Sequence, residues 1–243
     1  MDTRKHLKTA YQDEKVAMAY DEEREFRDAD LSLHYETEIG ALLEALKDIK
    51  GPILEVAVGT GRLCRRLRGT GYPYVGLDFS MPMLQEANKS LGSDGGGIFL
   101  LRGDAFQLPF KEEYFQAVIG FRFIKHLDPE NRRTLYKELG RVMRKGGILT
   151  FDFYGWRKRA KKEGGRLTVK ALRAELEESG LKLLKVYGTR HILCDILSVP
   201  FRRLKIRPVV KALGWLEIKV LSRIDELLDR SRGGIAVCQK LGT

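Results

Sequence analysis

Between residues 52 and 154 the chain alternates two hydrophobic rhythms. Short apolar runs at 52–58, 73–79, 98–103, 115–123 and 147–153 predict strands. Between them, 61–69, 81–91 and 129–144 space their apolar residues by three and four, the period of a helix with one buried face. Strands that alternate with helices in this way predict a parallel sheet covered on both sides. Pro52 suits a strand start, and Ser80 is placed to cap a helix beginning at Met81-Pro82. Farther on, 168–179 predicts a helix capped by Thr168 and stopped by Gly180, with strands at 181–192 and 234–240 completing the sheet. The stretch 11–48 is also helical in pattern, and 194–230 is an insertion with its own helix.

Composition narrows the class. The charged fraction of 32% and apolar fraction of 43% suit a globular domain, and no apolar run reaches the ~18 residues that cross a bilayer. The opening residues lack the apolar stretch of a secretory signal. Cys64, Cys194 and Cys238 are odd in number and widely spaced, so neither a disulfide framework nor a metal cluster is expected, and a cytoplasmic location is. The net charge of +11 is uneven: residues 1–48 hold 13 acidic against 7 basic side chains, and the rest is strongly basic. A basic body admits an anionic partner, though such charge commonly serves only solubility.

The candidate chemistry begins where the first strand ends, in ILEVAVGTGRL (53–63). Gly59, Thr60 and Gly61 occupy the strand-to-helix crossing, where a parallel sheet binds ligands and glycine lets a ligand lie against the backbone. Asp78 ends the second strand 19 positions after Gly59, a spacing suited to ribose hydroxyls. A dinucleotide fingerprint needs a glycine where Cys64 stands, and its first glycine position is held by Ala57, so a pyrophosphate is poorly served. Glu55 suits a cation or amine instead. Adenosine at one end and positive charge near the other is the layout of S-adenosylmethionine.

The motifs ExxxGTGRL, GLDFSMPML (76–84), GDAFQLPF (103–110) and ELGRVMRKGGILTFD (138–152) resemble, in order, those of class I S-adenosylmethionine-dependent methyltransferases, above all the small-molecule and quinone-type group. The resemblance covers about 51–153. It implies an α/β fold: a doubly wound, Rossmann-like, mostly parallel seven-stranded sheet with helices on both faces. It further implies that Glu55, Ala57, Gly59, Thr60 and Gly61 lie along the methionine part of the cofactor, Asp78 at the ribose, and Phe79 beside the adenine. Met83 closes over the same pocket, with Asp104 near the adenine amine and Ala105 offering an amide. Phe79 and Met83 are equally explained as core, and Asp104 as a turn cap.

The acceptor end is expected after the fourth strand, in GFRFIKHLDPE (120–130). His126 is the first candidate for a general base, with simple backbone bonding as its bland alternative. Arg122 replaces a small polar residue and can grip an anionic substrate, the cofactor's carboxylate, or an acid of the N-terminal helices. Gln116 stands where the family usually shows an acid. The absence of an Asn-Pro-Pro-aromatic segment argues against adenine and glutamine N-methyltransferases.

Two segments are expected to cover the site of this single domain. In 1–48, AMAYDEEREF (17–26) resembles a segment that folds over the cofactor, with Tyr11, Tyr20 and Arg24 as contacts. The core is assigned to 49–193 and 231–243. In the inserted cap 194–230, Val209, Leu213, Leu216, Val220, Ile224 and Leu227 form one apolar helical face downstream of Arg202, Arg203, Lys205 and Arg207. That face packs on its own domain, rests peripherally on an anionic membrane, or meets RNA. The expected activity is methyl transfer from S-adenosyl-L-methionine to a small-molecule or lipid-like acceptor. The alternatives are an RNA methyltransferase, a non-catalytic S-adenosylmethionine-binding protein and, more distantly, a nicotinamide oxidoreductase.

Overall fold

The computed structural model describes residues 9, 11–26, 39–68, 71, 73–92, 97–155, 167–189 and 233–242, with side chains for all of these except 21–26 and 189. The inserted segment 194–230 and its apolar face therefore lie outside the described residues, as does the Arg24 side chain. In chain order the elements are α1 (Glu14–Phe26), α2 (39–46), β1 (Ile53–Val56), α3 (Arg62–Leu67), β2 (Tyr74–Asp78), α4 (Met81–Leu91) and β3 (Ile98–Arg102). They continue as β4 (Phe115–Ile119), a short 3-10 turn (Ile124–His126), α5 (Pro129–Val142), β5 (Met143–Tyr154), α6 (Val169–Glu177), β6 (Leu181–Thr189) and β7 (Gly233–Lys240).

The seven strands form one sheet in the order β3-β2-β1-β4-β5-β7-β6. Strands β1 to β5 pair in parallel, while β7 runs antiparallel to both β5 and β6. The expected mostly parallel, doubly wound sheet is thus present. Alternation along β1 divides the core. Leu54 and Val56 join Phe115, Tyr136 and Phe151 on the side of α5 and α6. Ile53 joins Leu42, Leu63, Tyr74 and Leu84 on the side of α2, α3 and α4.

Local chemistry places the helix starts. Ser80 Oγ accepts the Met83 amide, Asp128 accepts that of Asn131, and Thr168 that of Ala171. Several boundaries differ from the periodicity, among them the start of β5 at Met143 rather than 147. The helix expected to reach 144 ends at Val142, because Met143 already has extended dihedrals and begins β5. The strand expected to reach 123 stops at Ile119, and the chain then turns sharply through Arg122 with φ 57°. Gln116 serves the scaffold: its Oε1 accepts the Lys50 amide at 3.0 Å beside Gly51.

Candidate functional site

Strand order reverses between β1 and β4, and parallel sheets open a crevice at the carboxyl ends of such strands. A cleft of about 810 Å³, mouth included, lies there. Its walls come from each crossing in turn: Ala57 and Gly59 after β1, Asp78 to Ser80 after β2, Gly103 to Phe106 after β3, and Phe121 to Phe123 after β4. Met83 of α4 and Tyr11 and Tyr20 of the N-terminal segment line it as well.

The first crossing is built from left-handed backbone. Ala57 has φ 55°, Gly59 φ 57° and Gly61 φ 78°. Ala57 thus holds a conformation that usually asks for glycine, at a cost of roughly 1–2 kcal/mol. A Cβ on Gly59 would meet nothing within 4 Å, so the backbone there is bare toward open space. Gly61 does a different job. A Cβ there would lie 3.1 Å from Cys64 Sγ and 3.2 Å from Ala87 Cβ, so this glycine lets α3 and α4 approach. Gly61 and the buried Thr60 are not in the pocket wall.

Asp78 ties two crossings together. Its Oδ2 accepts the Gly59 amide and its Oδ1 the Ser80 amide, both at 2.8 Å. Desolvation pushes its carboxyl upward, opposed by amide bonds from Ser80, Gly59 and Phe79. With about four acceptor sites on its two oxygens, the carboxylate keeps capacity for a ligand hydroxyl beside these amides. Phe79 beside it is half exposed. Asp104 caps its own turn, accepting the Phe106 amide at 3.0 Å, and also lines the pocket with Ala105. That loop is clamped from α5: Arg141 donates to the Leu108 and Phe110 carbonyls, and Glu138 accepts the Leu108 amide.

Glu55 lies elsewhere than the pocket wall. It is 3% exposed within β1, and the Tyr74 hydroxyl donates to its Oε2 at 2.7 Å. Burial, the largest influence, pushes its carboxyl up to about 8. His126 is likewise not in the wall; it packs edge-on against Tyr154 with ring centroids 5.6 Å apart. Arg122 is in the wall between Phe121 and Phe123. The N-terminal tyrosines meet edge-to-face at 5.9 Å, and Ser80 Oγ donates to the Tyr11 carbonyl, which fastens this segment to the second crossing.

Sequence reasoning missed Asp152. It is a buried acid of β5 whose Oδ1 accepts the Arg122 amide at 2.6 Å and whose Oδ2 pairs with the Lys125 ammonium. The available signal was an acid inside the apolar run ILTFDFY, the same anomaly that singled out Glu55. Phe106, Phe121 and Phe123 were also missed as pocket residues, since apolar residues in such runs read as core.

An adenosine ligand fits these groups, whereas Glu55, the acid matched in sequence to a cationic tail, is not in the wall to meet one. Bare backbone at Gly59, two carboxylates at the second and third crossings and aromatic faces between them supply what its parts require. Among the described residues no cluster suited to a metal ion is found, and no helix is long and apolar enough to cross a membrane.

Residues 53–147 match the family described as "Methyltransferase domain". A demethylmenaquinone methyltransferase of Thermus thermophilus is 39% identical over 108 residues, covering 43% of this chain and 48% of that protein. An uncharacterized methyltransferase of Anoxybacillus flavithermus is 27% identical over 117 residues, covering 48% and 52%. The chain spans about half the length of these curated relatives. Among solved structures, phosphoethanolamine N-methyltransferase 2 of Haemonchus contortus, in complex with S-adenosyl-L-methionine, superposes with a TM-score of 0.69. It is 17% identical and covers 100% of this chain and 60% of that one, a likeness of fold alone.

Proposed function

We propose that the chain is a class I S-adenosylmethionine-dependent methyltransferase, as the match of residues 53–147 to the methyltransferase domain supports, and that it methylates a small, lipid-like acceptor of quinone type. The observation that carries the choice of acceptor is the aromatic wall. Phe106, Phe121, Phe123, Tyr11 and Tyr20 line the cleft together with Arg122. A flat, largely apolar ring packs well on such faces, and a guanidinium beside it stabilises a phenolate. The demethylmenaquinone methyltransferase relative supports the same chemistry.

The cofactor supplies an activated methyl on a sulfonium. Asp78 would hold its ribose, the backbone of Ala57 and Gly59 its amino-acid tail, and Phe79, Met83, Asp104 and Ala105 its adenine. The chain's task is then to position an acceptor lone pair or carbanion in line and to exclude water. Tyr11 and Tyr20, fastened through Ser80, act as the cover. Arg122 favours the ionised form of the ring hydroxyl, which makes the neighbouring ring carbon nucleophilic.

The test offers purified protein methyl-labelled S-adenosylmethionine with either a detergent-solubilised naphthoquinol lacking its ring methyl or bulk tRNA. The expected result is label on the ring carbon of the naphthoquinol and none on the tRNA. Label on tRNA would favour the RNA reading. Tight cofactor binding with no labelled product would favour the non-catalytic one.

A further inference from the structure

Parallel pairing of β4 with β5 is last recorded at Ile119 with Thr150, and the Gly120 amide still donates to the Thr150 carbonyl at 2.9 Å. Past that point the β4 chain leaves the sheet with its amides no longer served by a neighbouring strand. Asp152, two residues along β5 and on the same face as Thr150, takes over. Its carboxylate receives the Arg122 amide at 2.6 Å, a charge-assisted bond made inside the protein. The other oxygen holds Lys125, whose ammonium also lies 5.4 Å from the Tyr154 ring centroid.

Arg122 adopts φ 57° under this grip, a conformation unfavourable for a residue with a Cβ. Phe121, Arg122 and Phe123, the three residues around this bond, all line the pocket. One buried acid therefore holds the backbone of this stretch of the pocket wall through the Arg122 amide.

We propose that Asp152 is the positioning residue of the acceptor end of the pocket, acting through the Arg122 amide and Lys125 and touching neither acceptor nor cofactor itself. This rests on the reading of Arg122 and its two phenylalanines as the acceptor wall. The groups assigned to the cofactor sit on the first three crossings and are held by other bonds, so Asp152 governs one half of the site.

Three variants divide its roles. Asp152→Asn keeps an oxygen for the Arg122 amide but gives up the charge that holds Lys125. Asp152→Ala removes both, and Lys125→Met removes the ammonium alone. Hydrogen exchange at the Arg122 amide is the first readout. It should accelerate tenfold or more in Asp152→Ala and stay within about threefold of wild type in Asp152→Asn, as expected where one charge-assisted bond is lost or largely kept.

Calorimetry with S-adenosylhomocysteine is the second readout, with affinity expected within twofold of wild type in all three variants. The third is KM for the naphthoquinol, expected to rise at least fivefold in Asp152→Ala and to recover largely in Asp152→Asn. Unchanged exchange at Arg122 in Asp152→Ala would overturn the proposal. So would acceptor and cofactor binding weakening together in step with thermal stability. Should Asp152→Ala not fold, tenfold faster exchange in Asp152→Asn would overturn the proposal, and wild-type-like exchange with unchanged cofactor affinity would support it. If the wild-type protein leaves the naphthoquinol unmethylated, the acceptor assignment fails by itself, and exchange at Arg122 with cofactor affinity still decides the role of Asp152.

Discussion

Glu55 is buried in the central strand with the Tyr74 hydroxyl as its partner, and burial pushes its carboxyl up to about 8, so the fold holds it largely protonated near neutral pH. An acid whose folded pKa lies above its unfolded value binds its proton more tightly in the fold. The stability this provides is complete below the ordinary carboxylate range and is lost as pH rises to about 8. Glu55→Gln keeps an acceptor for Tyr74 and removes the titration. Urea unfolding should therefore show the variant gaining on wild type between pH 5.5 and pH 9, by roughly 2 kcal/mol or more. Parallel pH profiles for the two proteins would contradict this. The sequence showed that Glu55 was anomalous in an apolar strand, but its partner lies 19 residues away on β2, where no local pattern announces it. Gly59, Asp78 and Asp104 were easier to read, because each stands at or just beyond the carboxyl end of its own strand.

The strands were legible as elements because their apolar runs are compact and the helices between them keep a clean period. Their ends were less so. The run through Phe121 and Phe123 continues the apolar pattern of β4, while the turn that breaks it is fixed by Asp152, 30 residues later. Between helices, a second long-range pair does similar work. Arg132 of α5 donates from Nε to Glu175 Oε1 at 2.6 Å and from a terminal nitrogen to Oε2 at 2.8 Å, while its other nitrogen reaches the Leu127 carbonyl. Both side chains are buried, at 2% and 6% exposure. Removing one partner leaves an uncompensated buried charge, so Arg132→Ala or Glu175→Ala should each cost about 3–5 kcal/mol in urea unfolding. The double variant Arg132→Met with Glu175→Leu should recover most of that loss. Additive losses in the double variant would show that the pair is not the link between α5 and α6.

For the whole molecule, the reversal of strand order gathers four separate crossings into one cleft, and this is why residues spread from Ala57 to Phe123 can line one site. The sequence order of the motifs carried that arrangement well, since the sheet topology converts order into neighbourhood. It said little about the acceptor, whose wall depends on Asp152 and on the tyrosines fastened through Ser80. The central claim is that the cleft holds an adenosine-bearing methyl donor through the carboxylate of Asp78. Calorimetric titration of wild type and Asp78→Ala with S-adenosylhomocysteine tests it most directly. One site per chain is expected in wild type, weakened by tenfold or more in the variant, as loss of charge-assisted hydrogen bonds to hydroxyls requires. No heat of binding from folded wild-type protein, or equal affinity in the two proteins, would contradict it.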